Sequence, residues 1–161
     1  MEVRRLRADE WEHWRAFRLA MLQDTPSAYG TTYAEAVAMS DEDWRERTAR
    51  MAGSAETVMY LAEAGGEWLS CAGGFLDDGV PTIFGVWTRP EARGRGAGRL
   101  AVERVVEWAR EQGAAEVRLG VTETNAAACR LYERLGFSPN GRTEPLRSDA
   151  SLTLAEWSKP L

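Results

Sequence analysis

The hydrophobic period changes twice along this chain, and those changes limit the fold more than any other feature. Trp11, Trp14, Phe17 and Met21 recur at helical spacing, and so do Trp44, Thr48 and Met51. From Thr57 the spacing shortens. Thr57 to Glu63, Trp68 to Leu76 and Thr82 to Thr88 read as strands, joined by turns at Gly65-Gly66 and Asp77-Asp78-Gly79. Then the two types alternate. Leu100, Val105, Trp108 and Ala109 share a helical face, and Val117, Leu119 and Val121 alternate with Arg118, Gly120 and Thr122 as a strand. Asn125 caps a helix from Ala126 to Leu135, Phe137 begins an extended segment, and Leu152, Leu154 and Trp157 fit a last strand. With a short strand over Glu2 to Leu6, the order is β-α-α-β-β-β-α-β-α-β-β. That order predicts a mixed α/β (α+β) fold with helices covering a central sheet.

Local signals mark the boundaries. Asp9 with Glu12, Thr32 with Glu35, and Ser40 with Asp43 read as capping boxes. Pro26 ends the first helix and Pro90 stops the third long strand. Gly73 and Gly74 mark a bulge or a close backbone approach. No repeat or linker interrupts the pattern, so residues 1–161 are read as one domain.

Composition excludes several classes. A chain of 161 residues buries enough surface to need no disulfide or metal staple. No long apolar run predicts a membrane span, and the first residues lack the apolar core of a signal peptide, so the expected location is the cytoplasm. Cys71 and Cys129 lie far apart and His13 is the one histidine, so no metal site is expected. Lys+Arg 20 against Asp+Glu 25 disfavours a general nucleic-acid partner. Trp11, Trp14, Trp44 and Trp108 fall on helical core faces, whereas Trp68, Trp87 and Trp157 lie on strands, where they pack or edge a cleft.

The chemistry-bearing stretch is Arg93-Gly94-Arg95-Gly96-Ala97-Gly98-Arg99, between a strand and a helix. Glycines let backbone N–H groups turn inward, and a helix N-terminus adds unpaired N–H groups and a positive dipole end. Together they suit a phosphate or pyrophosphate. A P-loop needs Lys-Ser/Thr after its last glycine, and Arg99-Leu100 stands here. The spacing Gly94, Gly96, Gly98 also fails the dinucleotide-binding pattern. On these residues alone, a surface turn without a ligand remains the alternative.

The downstream context resembles the Gcn5-related N-acetyltransferase (GNAT) superfamily. Arg93, Gly96 and Gly98 match its Q/R-x-x-G-x-G/A motif, after Pro90. The strand Val117 to Thr122, then Asn125, Tyr132, Gly136 and Phe137, matches its second landmark. The resemblance covers Thr57 to the C-terminus. It implies a mostly antiparallel sheet of about seven strands flanked by about four helices. It also implies acetyl transfer from acetyl-CoA to a small-molecule or peptide amine, and a homodimer.

Site roles follow from the same resemblance. The strand Thr82 to Thr88 would splay from Val117 to Thr122 at a bulge. Pantetheine would pair there with the backbone of Val86, Trp87 and Thr88, with an N–H near Thr88 polarising the thioester carbonyl. Thr88 stands where an aliphatic residue is usual. The loop Arg93 to Arg99 would hold the pyrophosphate, and Asn125 the pantetheine arm. Tyr132 would protonate the leaving thiolate. Its bland counterpart is a tyrosine packed beside Leu131 and Leu135. Glu35, Glu63, Glu123 and Glu156 are candidate bases, with Glu35 placed first although its capping role with Thr32 competes. Cys129 reads as packing and His13 as structural or exposed. Two other readings stay open: an acyl-CoA-binding module without catalysis, and an unrelated phosphate-ligand protein.

Overall fold

A computed structural model describes residues 1–161. The strands are β1 (Glu2–Arg5), β2 (Thr57–Ala64), β3 (Glu67–Asp77), β4 (Val80–Thr88), β5 (Glu116–Thr122), β6 (Ser138–Leu146) and β7 (Asp149–Pro160). They form one sheet in the order β1-β2-β3-β4-β5-β7-β6. Every neighbouring pair is antiparallel except β4 with β5. The helices are α1 (Trp11–Asp24), α2 (Tyr33–Val37), α3 (Asp41–Gly53), α4 (Ala97–Glu111) and α5 (Ala126–Arg134). The count is one above the expected four. Thr32 opens a helix that stops at Val37, and Ser40 then opens a separate one.

The strands read as apolar runs because both faces of the sheet are covered. Along β2, Val58, Tyr60 and Ala62 join the core built with α4, whereas Met59 and Leu61 join the core built with α1 and α3. Trp14, Phe17 and Met21 fill that second core from α1, and Trp44 and Met51 from α3. Trp68 and Trp157 are both buried packing residues. His13 is exposed and stacks on the Trp68 ring at 3.7 Å between centroids. No helix is long and apolar enough to cross a membrane.

Two of the three capping boxes form. The Glu35 N–H donates to Thr32 Oγ1 at 3.1 Å, and the Asp43 N–H donates to Ser40 Oγ at 3.1 Å. The Asp9–Glu12 box does not form. Instead Glu10 accepts the Arg7 N–H at 2.9 Å and a fork from Arg4 at 2.7 and 3.0 Å. Arg4 also donates to Glu63 at 2.9 Å, so a charged three-residue network fixes the start of this helical region.

The register between β3 and β4 carries the decisive irregularity. Cys71 faces Trp87 and Gly73 faces Phe84, so Ala72 on β3 stands opposite both Gly85 and Val86. The extra residue is a bulge. Gly85 takes φ +60°, which a residue with a Cβ rarely adopts. Phe84 and Trp87 both pack into the α1 side of the core, although an unbroken strand would put them on opposite faces. The bulge lies in β4, and Gly73-Gly74 are the close approach. A Cβ at Gly73 would stand 2.6 Å from Phe84, and one at Gly74 2.7 Å from Trp108.

Candidate active site

β4 and β5 pair only through Thr82–Arg118 and Ile83–Leu119. Past these residues the strands diverge, and a cleft of about 600 Å³ opens between them. Its walls come from β4, β5, the loop before α4, and α5.

The β4 wall is a strand edge. The Arg89 N–H donates to the Leu69 carbonyl at 2.9 Å, so Arg89 faces β3. Backbone alternation then turns Val86 and Thr88 toward the cleft and Trp87 away from it. The Trp87 carbonyl accepts from Ser70 Oγ at 2.7 Å on the β3 side. Trp87 also lines the cleft, but with its carbonyl turned to β3, and its indole Nε1 donates to Asp24 at 2.9 Å. On the cleft edge, the Val86 carbonyl accepts from the Tyr29 hydroxyl at 2.7 Å and the Thr88 carbonyl from Arg93 Nε at 3.1 Å. The Thr88 hydroxyl lies 3.0 Å from Ser70 Oγ, so the polar side chain has a polar partner.

The loop before α4 has the expected backbone. Gly94 and Gly96 take φ of +77° and +86°, and Gly96 is the N-cap of α4. The first N–H groups of α4 have no acceptor within the helix. Gly98 packs against the end of β4: a Cβ there would stand 2.8 Å from Thr88 Oγ1. Arg93, Gly94, Gly96, Ala97, Gly98 and Arg99 all line the cleft. Arg95 does not; it is exposed. Arg93 also bonds Asp24 through its guanidinium, which together with Trp87 and Thr25 holds the Asp24 carboxyl below its usual range.

α5 forms the other wall. Asn125 caps it, its side-chain oxygen accepting the Ala128 N–H at 3.2 Å. At the far end the Gly136 N–H donates to the Glu133 carbonyl at 3.1 Å and the Phe137 N–H to the Tyr132 carbonyl at 2.9 Å. This double closure needs the left-handed Gly136, φ +89°. It seats the Phe137 ring edge-on against Tyr132 at 5.9 Å. Tyr132 is thus buried and fixed, yet its hydroxyl makes no hydrogen bond within the chain and is not sealed from the cleft. Burial raises its pKa above the ordinary phenol value.

The candidate bases lie elsewhere. Glu35 accepts a fork from Arg147 at 2.8 and 2.9 Å besides capping α2, and these contacts hold it at about 2. Glu63 is engaged by Arg4 and Glu156 by Asn140. Neither these nor Glu123 lines the cleft. Cys71 is buried, which pushes its thiol up to about 12, and burial also raises Cys129. Neither is a poised thiolate.

The cleft also has contributors to which the sequence assigns no site role, Tyr29 and Arg134 among them. Tyr29 lines the cleft from the α1–α2 connection, and Arg134 from the last turn of α5. Arg134 lies one helical step from Leu131, which also lines it, so the α5 face could have revealed it. No Asp or Glu lines the cleft, while Arg93, Arg99 and Arg134 do; of these Arg93 is paired with Asp24 beside the cleft. Orphan N–H groups, glycine-permitted approach and this charge balance fit an elongated ligand with a phosphate group.

Comparison with known proteins agrees with this geometry. The chain is 30% identical over 135 residues to a mycothiol acetyltransferase of Thermobispora bispora, a match spanning 79% of this chain and 42% of that protein. It is 40% identical over 57 residues to a streptothricin acetyltransferase of Streptomyces lavendulae, spanning 35% of this chain and 30% of that protein. In both cases the match spans less than half of the relative's length. Among solved structures, a GNAT acetyltransferase of Streptococcus pneumoniae superposes with TM-score 0.83 at 18% identity, over 99% of this chain and 98% of that one. An acetyltransferase of Salmonella typhimurium, solved with its cofactor acetyl-CoA, gives 0.78 at 21% identity over 100% of this chain and 94% of that one. The model of the family described as "Acetyltransferase (GNAT) family" matches residues 8–137. On that match, the chain belongs to the acetyltransferase (GNAT) family.

Proposed function

We propose that this chain transfers an acetyl group from acetyl-CoA to a primary amine of a small molecule or peptide, in the cytoplasm. One observation carries the reading. The divergence of β4 from β5 gathers an outward backbone edge, the N-terminus of α4 and the unbonded Tyr132 hydroxyl into one cleft free of carboxylates.

When bound, acetyl-CoA supplies an acetyl group activated as a thioester. The N-terminus of α4, the Gly94–Gly98 loop and the side chains of Arg93 and Arg99 would hold its pyrophosphate. The backbone of Val86 and Thr88 and the side-chain amide of Asn125 would hold the pantetheine arm. The N–H near Thr88 donates to the oxygen on which charge develops. Tyr132, kept protonated by its burial, would give its proton to the departing sulfur and regain one from water in the cleft before the next turnover. The amine must also lose a proton, which water can carry away.

A thermal-shift titration with acetyl-CoA, CoA, ATP and NAD tests this reading. Stabilisation of about 2.7 kcal/mol is expected at 100 times the dissociation constant. A shift with acetyl-CoA and CoA alone, followed by amine-dependent thiol release, supports transfer. A shift without release from any amine makes the chain an acyl-CoA-binding module. No CoA-specific shift overturns the reading.

A further inference from the structure

A second cavity of about 450 Å³ lies behind the β4 bulge, between α1, α3 and the sheet. Phe84 lines both this cavity and the cleft. The cavity has apolar walls at Trp14, Trp44, Met39 and Phe84. It also holds a cation with nothing to neutralise it. Arg18 projects from α1, only partly exposed, and its guanidinium donates to the Met21 sulfur at 2.9 Å. It lies over the Tyr29 ring, 5.3 Å from the centroid. Neither contact supplies negative charge.

The acidic residues nearby are committed elsewhere. Asp43 accepts the Ser40 N–H at 3.3 Å in its capping box. Glu46 lies 3.4 Å from Arg50. Arg47, also on the cavity wall, adds like charge rather than relief. A guanidinium withdrawn from water without a carboxylate is costly. Such a group earns its place where an incoming anion completes it.

The position says which anion. Arg18 Nη1 would lie 3.7 Å from a Cβ built on Gly85, the bulge residue that also lines the cleft. The cation therefore stands directly behind the point where β4 leaves β5. An amine directed at that point and an anion on Arg18 belong to one small molecule, a few bonds apart. We infer that the second cavity takes the acetyl acceptor, and that this acceptor is a free amino acid whose carboxylate pairs with Arg18 while its apolar side chain lies against Trp44, Met39 and Phe84. The inference rests on the acetyl-transfer reading for the identity of the reaction. The cavity and its unpaired cation stand without it.

The test compares leucine, methionine and phenylalanine with their carboxamides. Binding is read by isothermal titration in the presence of CoA, and turnover by thiol release from acetyl-CoA. In the wild type, each acid is expected to bind roughly ten- to hundredfold more tightly than its amide, the contribution of a charge-assisted hydrogen bond. Arg18→Gln is expected to erase that preference with acetyl-CoA affinity unchanged. Arg18→Lys, which keeps the charge but not the fork, is expected to restore part of it. The acid–amide comparison needs no variant, so it decides even if a variant folds poorly. Equal binding of acid and amide to a protein that binds acetyl-CoA overturns the Arg18 assignment and leaves acetyl transfer standing. Acid-selective binding without any response to acetyl-CoA keeps the Arg18 site and unseats acetyl transfer.

Discussion

The Tyr29 hydroxyl donates to the Val86 carbonyl across 57 residues of sequence, at 2.7 Å. This bond ties the α1–α2 connection to the free edge of β4, beside the bulge. The same connection is held at two further points, where Ser148 Oγ donates to the Tyr29 carbonyl and Thr122 Oγ1 donates to the Ser27 carbonyl at 2.7 Å. Removing the phenol hydroxyl takes away that carbonyl's donor. Tyr29→Phe should destabilise the protein by about 0.5–1.5 kcal/mol, the net worth of one hydrogen bond whose acceptor, at the edge of the open cleft, can turn to water instead. Differential scanning calorimetry should register this as a drop of a few degrees.

Tyr132 should behave in the opposite way. Its hydroxyl bonds nothing in the chain, so Tyr132→Phe should leave the melting temperature within about a degree. If it is the proton donor, kcat should fall by about 10²–10⁴-fold with CoA affinity unchanged. Because burial raises the Tyr132 pKa, the group stays protonated well into the alkaline range. The wild-type rate should therefore show no alkaline loss from this residue up to about pH 10, its ordinary value. Steady-state thiol release from pH 6 to 10 checks both points.

Glu35 gives a prediction of pH-dependent stability without loss of activity. Its fork to Arg147 lowers its pKa from 4.5 to about 2. The folded value is depressed, so the stabilisation is complete above about pH 4.5 and is lost as pH falls toward 2. Glu35→Gln should flatten that acid limb, while turnover at neutral pH changes less than about threefold, since the side chain lies outside the cleft. The pair is exposed and screened, so the neutral-pH stability change should be small. Urea unfolding at pH 7 and pH 3 measures the difference.

Gly98 is limited by contact rather than by backbone angle. A Cβ there would sit 2.8 Å from Thr88 Oγ1. Gly98→Ala should push the first turn of α4 off β4, costing about 1–3 kcal/mol in stability and weakening acetyl-CoA binding in the same direction. Thr88→Ala in the same chain removes the clashing oxygen and should recover part of both losses. A double-mutant cycle by calorimetry and titration would expose the coupling.

The sequence is legible where the physics is local. Periodicity set the strands and long helices, because burial on each face repeats within a few residues. Thr32, Ser40 and Asn125 cap as read, and Gly136 with Phe137 closes α5, because each motif is complete within six residues. The Asp9–Glu12 box does not form because a 3-10 turn over Ala8–Glu10 precedes the helix and puts Glu10, not Asp9, at its N-cap. The strand expected from Phe137 forms as β6, but its bounds are not legible, because Pro139, Gly141 and Pro145 break its alternation and nearly all of it is exposed. The partners of Glu35 and Val86 and the unpaired state of Arg18 depend on residues distant in the chain. No pattern in one sequence records such meetings. The resemblance implies backbone contacts from Val86, Trp87 and Thr88 together and does not say which of them face the cleft, because the extra residue in β4, which reverses every direction after it, cannot be placed from one sequence.

That reversal has a further consequence. β4 counts three steps where β3 counts two, so the opening that admits a ligand depends on parity before it depends on any side chain. Deleting one residue at Gly85–Val86 would even the count, let β4 run straight beside β5, and zip the sheet closed. The result would be a more regular protein without an interior. Substitutions can retune such a site by degrees; a single lost codon would abolish it in one step.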